Sequence, residues 1–120
     1  MAITLAGNTV VSDTIGPIRG IPVVNKTSSY TPGETDSGKC ISITTGGVTI
    51  PARKFREGDW FSIYNDSASS QTLTQGTSPS MRVTWAGTTF TGNRTLAQRG
   101  FVTVYYTSSN TALVTGNGIT

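Results

Sequence analysis

Phe101-Val102-Thr103-Val104-Tyr105-Tyr106 is the stretch on which the fold turns. Every residue in it is β-branched or aromatic, the types that suit a pleated surface. Val102, Val104 and Tyr106 point one way, and Phe101, Thr103 and Tyr105 the other. Apolar or aromatic side chains on both faces predict a central strand. Downstream, Ser108-Ser109-Asn110 turns the chain into a further strand at residues 111 to 114, and Gly116-Asn117-Gly118 closes it. Upstream, Met81-Arg82-Val83-Thr84-Trp85 alternates cleanly, with Met81, Val83 and Trp85 on one face. Leu73 centres another alternating run at residues 71 to 75. In residues 60 to 65, Phe61 and Ile63 face one way, and Trp60, Ser62 and Tyr64 the other. Residues 39 to 44 place Ile41 and Ile43 on one face, and Val48-Thr49-Ile50 follows after the glycine turn Thr45-Gly46-Gly47. Gly58-Asp59 marks another turn.

No window shows helical spacing of apolar residues; Pro51-Ala52-Arg53-Lys54-Phe55 could form a single turn. The short strands recur about every ten residues between Gly/Asn/Ser turns, a pattern that predicts an all-β fold. The expected architecture is a small antiparallel sandwich or barrel, jelly-roll-like, over residues 30–120. Residues 1–29 stand apart. Pro17 and Pro22 each remove a ladder donor, which argues for an edge or an extended N-terminal arm that reaches onto a neighbour.

Composition narrows the function. The chain has 120 residues, of which 12% are charged, against about 25% in a typical domain. Thr, Ser and Gly take the place of charge, and such a surface suits packing against another protein. The net charge is +3, but only Arg53, Lys54 and Arg56 cluster. They read as a solvated loop or as a docking patch for an acidic protein surface. Direct nucleic-acid binding is not expected, because the aromatics are not interleaved with basic residues.

There is no histidine, which removes Ser-His-Asp and Cys-His catalysis and the commonest zinc ligand. The six acids offer no carboxylate pair placed to flank a sugar bond: Glu57 and Asp59 border a turn, and Asp36-Ser37-Gly38 looks like turn chemistry. No calcium loop or phosphate loop is present, so no cofactor, metal or catalytic residue is expected. Cys40 is the sole cysteine and sits in an alternating run, so it reads as a buried or half-buried structural thiol. No run approaches the ~20 apolar residues of a membrane span, and residues 1–5 lack the pattern of a secretory signal. Tyr30, Trp60, Tyr64, Trp85, Tyr105 and Tyr106 could stack on sugars, with Trp60, Tyr64 and Trp85 as the foremost candidates, or they could fill a core or a subunit interface.

Several phrases resemble a module of cyanophage and other tailed-phage structural proteins. They are Ser29-Tyr30-Thr31, Asp36-Ser37-Gly38-Lys39, the run from Ile41 to Pro51, Phe55, Gly58-Asp59, Ile63-Tyr64-Asn65-Asp66-Ser67, the run from Gln71 to Gly76, the run from Thr91 to Gly100, and Gly116-Asn117-Gly118-Ile119-Thr120. The resemblance covers roughly residues 29 to 120. It implies a virion surface protein and brings no catalytic residues. Short modules of this kind, without the length for a shaft, fit capsid decoration better than a tail fibre.

The expected function is therefore a capsid decoration (cement) protein on the phage capsid surface. Its partners would be the major capsid protein and copies of itself, expected as a homotrimer. Ile3, Leu5, Val10, Val11, Ile21 and Val23 of the arm, with Arg53, Lys54 and Arg56, are the candidate docking residues. The alternative is a tail or fibre component that adheres to host glycan through Trp60, Tyr64 and Trp85.

Overall fold

The computed structural model describes residues 20–77, 82–87 and 91–120, and the backbone of 3–5 and 8–11. Ten strands are described: β1 (Ile3–Leu5), β2 (Asn8–Val11), β3 (Val23–Lys26), β4 (Cys40–Ile43), β5 (Val48–Ile50), β6 (Trp60–Asn65), β7 (Gln71–Gln75), β8 (Arg82–Trp85), β9 (Arg94–Ser108) and β10 (Thr111–Ile119). The described helical structure is one 3-10 turn, Glu34–Asp36. The protein is all-β.

Eight strands form one mixed sheet, in the order β3-β4-β6-β9-β10-β8, with β7 pairing β5 and β9. β1 and β2 pair with each other. The expectation of wholly antiparallel pairing needs correction: β3/β4, β4/β6, β5/β7 and β10/β8 are parallel. Three successive segments lie in parallel like rungs. Val23 pairs Cys40, and Cys40 pairs Ser62. On the adjoining wall Tyr30 bridges Val48, and Val48 pairs Leu73. A parallel neighbour needs a long return connection instead of a hairpin. The segment that leaves β4 turns a corner, forms β5, and only then returns through residues 51–59 to β6.

This explains the glycine pair at the corner after β4. Gly46 and Gly47 have φ of 93° and 72°, a region that side-chain-bearing residues avoid. They do not fold β5 back on β4. They let neighbouring rungs close up: a Cβ on Gly46 would lie 2.3 Å from the Ser29 nitrogen, and one on Gly47 2.4 Å from the Thr72 oxygen.

β9 is the spine. Phe101 to Tyr105 pair antiparallel with β6, while Arg94 to Leu96 pair with β7. β10 runs along its other edge. The strand therefore crosses the same corner as the rungs, and Arg99 at the bend has a φ of 56°. Gly116-Asn117-Gly118 does not end the last strand, which continues to Ile119. A Cβ on Gly116 would lie 2.3 Å from the Phe101 oxygen, so glycine here serves close backbone approach. Within Pro51 to Phe55, residues 52–55 form bends, not a helical turn, with Arg53 at a φ of 62°.

Inside the folded sheet lies one apolar core, which includes Ile41, Ile43, Phe55, Phe61, Ile63, Leu73, Val83, Leu96, Val102, Val104 and Tyr106. The Phe55 and Tyr106 rings stack at 4.8 Å, and Phe61 is tilted against Phe55 at 5.2 Å. Full burial of each such side chain contributes about 1.5–3 kcal/mol. The Tyr106 hydroxyl keeps a partner in this apolar setting by donating to the Pro51 carbonyl at 2.7 Å.

The corner between β6 and β7 is polar and buried. Asn65 is fully enclosed, and its Nδ2 donates to the carbonyls of Ser69 (2.7 Å), Ala97 (3.0 Å) and Leu96 (3.1 Å). Its Oδ1 accepts from Ser67 Oγ at 2.6 Å. Gln71 donates through Nε2 to the Thr44 carbonyl at 3.0 Å and accepts the Gly47 N–H at 3.1 Å. A buried amide is tolerated only when its donors and acceptors are matched. Here the matching ties three corners together.

Candidate functional site

Pairing register decides which side chains share the outer face of the sheet. Trp60 lies opposite Tyr105, Ser62 opposite Thr103, and Tyr64 opposite Phe101. Cys40 and Ser42 continue the lower rows on β4, and Leu113, Thr115 and Asn117 continue the rows on β10. Trp60, Tyr105 and Leu113 thus form one bulky row. Ser62 and Thr103 form a row of small side chains, and Tyr64 with Phe101 forms a second bulky row. Rows two residues apart along a strand are separated by about 6.6 Å. Within these three rows no residue is charged; Arg82, at the start of β8, and the exposed Arg99–Asp66 ion pair, beyond Phe101 and Tyr64, stand at the borders.

The face is an exposed one. Phe101 is 46% and Tyr105 43% exposed, and Val23 at the β3 edge is 57% exposed. The Tyr64 and Phe101 rings are tilted at 6.5 Å. Ser62 Oγ and Thr103 Oγ1 lie 3.4 Å apart and share a hydrogen bond, so the hydroxyls between the aromatic rows face each other. Cys40 belongs to this face, half-buried, and burial pushes its thiol pKa up. A raised pKa lowers the thiolate fraction and makes the thiol less reactive.

The one cluster of basic residues lies elsewhere. Arg53, Lys54 and Arg56 are exposed and line one groove of about 910 Å³ with Glu34, Ser37, Phe55, Asp59 and Ser109. None of the three cations forms an ion pair among the described residues. Asp59 is engaged within the loop: it accepts the Arg56 N–H at 2.9 Å and the Ser37 hydroxyl at 3.2 Å. The backbone of Arg53 is anchored by an N–H bond to the Ser109 carbonyl at 2.9 Å. The loop is therefore held at its backbone while its cations extend into solvent.

Asp36 has the turn role expected of it. It accepts the Gly33 N–H at 3.0 Å and the Tyr30 hydroxyl at 2.5 Å. Burial, and then the hydrogen bond and charge of Asp36, push the Tyr30 phenol up to about 12.

The three sugar-stacking candidates do not form one platform. Trp60 and Tyr64 share the outer face, but Trp85 is 4% exposed and faces the core. The reason is register: Trp85 pairs with Val114, whose side chain is buried, so both point inward. Beside it a depression of about 450 Å³ is bounded by Trp85, Arg94, Val114 and Ile119, and the Arg94 guanidinium lies 5.8 Å from the Trp85 ring centre. Tyr105, one of the wider set of aromatics, and Phe101, which was not a candidate in sequence terms, complete the outer face. Their signal in the sequence is the aromatic half of a central strand with apolar or aromatic residues on both faces.

Of the proposed arm residues, Ile3 and Leu5 lie on β1, and Val10 and Val11 on β2, with Ile3 opposite Val11. Their side chains are outside the described residues, as are residues 12–19. Ile21 is exposed, and Val23 opens β3, the edge strand of the main sheet. No family model, no curated protein and no solved structure matches this chain.

Proposed function

We propose that this chain is a capsid decoration protein of a tailed phage, binding the assembled shell as a homo-oligomer. The observation that supports this reading is the separation of two surfaces on one small folded sheet: a basic loop whose cations form no ion pair among the described residues, and an aromatic face whose central rows carry no charge. The resemblance in residues 29–120 to phage structural modules supplies the setting. Arg53, Lys54 and Arg56 steer the chain to an acidic shell, where complementary charge raises the rate of encounter. Repetition over a symmetric shell turns weak contacts into strong overall binding. The exposed edge of β3 and the β1–β2 ribbon offer backbone groups for strand addition.

The test is binding of purified chain to isolated shells in low and moderate salt. Reversing the loop charges (Arg53→Glu, Lys54→Glu and Arg56→Glu together) should abolish binding, and added salt should weaken the wild type. Unchanged binding by the triple variant would overturn the docking role of the loop.

A second reading rests on Trp60 and Tyr64 sharing the exposed face: a tail component stacking on host glycan. Quenching or blue-shift of Trp60 fluorescence by host polysaccharide would favour it.

A further inference from the structure

We infer that Asn117 is a site of self-modification, at which the following glycine converts the side-chain amide into an acid. The inference stands apart from the function proposed above. It concerns Gly116-Asn117-Gly118, whose glycines the fold explains and whose asparagine it does not.

The chemistry is intramolecular. The Gly118 backbone nitrogen loses its proton and attacks the carbonyl carbon of the Asn117 side chain. A C–N bond forms, the amide nitrogen leaves as ammonia, and a succinimide ring closes. Water then opens the ring at either carbonyl. One opening gives aspartate; the other gives isoaspartate, in which the main chain runs on through the β-carbon. The net change is one water taken up and one ammonia released.

Three observations place the reaction at this residue. The attacking nitrogen must not be crowded by its own side chain, and glycine alone lacks a Cβ. Every other asparagine is followed by a larger residue: Thr9, Lys26, Asp66, Arg94 or Thr111. The fold keeps Gly118 a glycine, since its φ is 90° and a Cβ would lie 3.2 Å from the Gly100 Cα. Next, Asn117 is exposed, and its amide makes no hydrogen bond among the described residues. Asn65, by contrast, is fully enclosed and bonded through both amide atoms, and Asn93 accepts the Gln75 N–H at 2.8 Å. Last, the register breaks here. Asn117 pairs with Phe101 but Ile119 with Leu96, so residues 97–100 stand against Gly118 alone. A bulge interrupts the ladder, so the attacking nitrogen sits at a gap in the regular pairing.

The product alters the strand that carries it. Asn117 lies opposite Phe101, so the new carboxylate enters the row of Tyr64 and Phe101. Isoaspartate also adds one carbon to the main chain between residues 117 and 118. Just beyond, Thr95 and Thr120 exchange two backbone hydrogen bonds of 3.0 and 2.9 Å. The lengthened path displaces that pair.

Ageing of the purified, folded chain in mildly alkaline buffer, followed by peptide mapping with mass spectrometry, tests the inference. Alkali speeds the first step because the Gly118 nitrogen must lose its proton. Asn117 should convert at least about tenfold faster than exposed Asn25, whose successor Lys26 carries a side chain. Isoaspartate should exceed aspartate among the products. Asn117→Gln should stay unconverted, because its longer side chain closes the ring slowly, and far-UV circular dichroism should show it folded. Amide hydrogen exchange at Thr95 and Thr120 should quicken in the aged wild type and not in Asn117→Gln. An Asn117 that stays intact in the folded chain while the urea-unfolded chain converts overturns the inference, since pairing then holds the amide away from the nitrogen. Aspartate without isoaspartate also overturns it, because that product comes from direct hydrolysis.

Discussion

The two faces of the sheet are made by the same strands and answer to different demands. On β9, Val102, Val104 and Tyr106 are fully buried, while Phe101 and Tyr105, one residue away, are nearly half exposed. The inner face is closed within the chain: its aromatic cluster stacks and its hydroxyl has a partner. The outer face has the residue types of a core, and no second layer covers it among the described residues. The comparison separates what makes the chain fold from what is left for another molecule. Inner substitutions should act on stability, and outer ones on association.

The largest expected effect is on the inner face. Tyr106→Ala removes a ring stacked on Phe55 and should cost about 3–5 kcal/mol in denaturant unfolding. A loss below 1 kcal/mol would break the division between the faces. The polar corner comes next. Asn65→Ala takes away the donor shared by three carbonyls and should cost about 2–3 kcal/mol, since buried acceptors then lose their partner.

Alkali probes the same enclosed regions. Tyrosine ionises near 10 in the unfolded chain, whereas Tyr30 is held up to about 12 and burial raises Tyr106 as well. Above pH 10 the unfolded chain therefore releases protons that the folded chain keeps. This part of the stability is complete below pH 10 and declines as pH rises toward 12. Tyr30→Phe should flatten that decline, as read from unfolding midpoints between pH 9 and pH 12.

Phe101→Ser on the outer face should change the stability of the isolated chain by only about 0.5 kcal/mol, while weakening association. Smallest of all is the Arg99–Asp66 ion pair at the corner. It is short, at 2.6 Å, but both side chains are about half exposed. Asp66→Ala should shift stability by about 0–1 kcal/mol, least at high salt.

The strands were legible in the sequence because alternation is a local property. Ile41 and Ile43, Phe61 and Ile63, and Val102 and Val104 all point where their spacing places them. Strand order was not legible. Gly46-Gly47 looks the same whether it closes a hairpin or turns a corner between stacked rungs; the difference lies in Ser29 and Thr72, far away in the chain. Arg94 to Gly100 carries polar residues and a glycine, and is a strand because β7 and β10 flank it. The candidate face was half legible. Trp60 and Tyr64 follow from alternation within β6, but their company with Phe101 and Tyr105 depends on the β6–β9 register. The same dependence on a neighbour turns Trp85 inward.

The account stands on the outer face being covered when the protein is at work. Hydroxyl-radical footprinting of Phe101 and Tyr105 reads this directly, comparing dilute free chain with chain assembled on its particle. The account predicts strong labelling of both rings in the dilute chain and marked protection in the assembly. Equal labelling in the two states would contradict it.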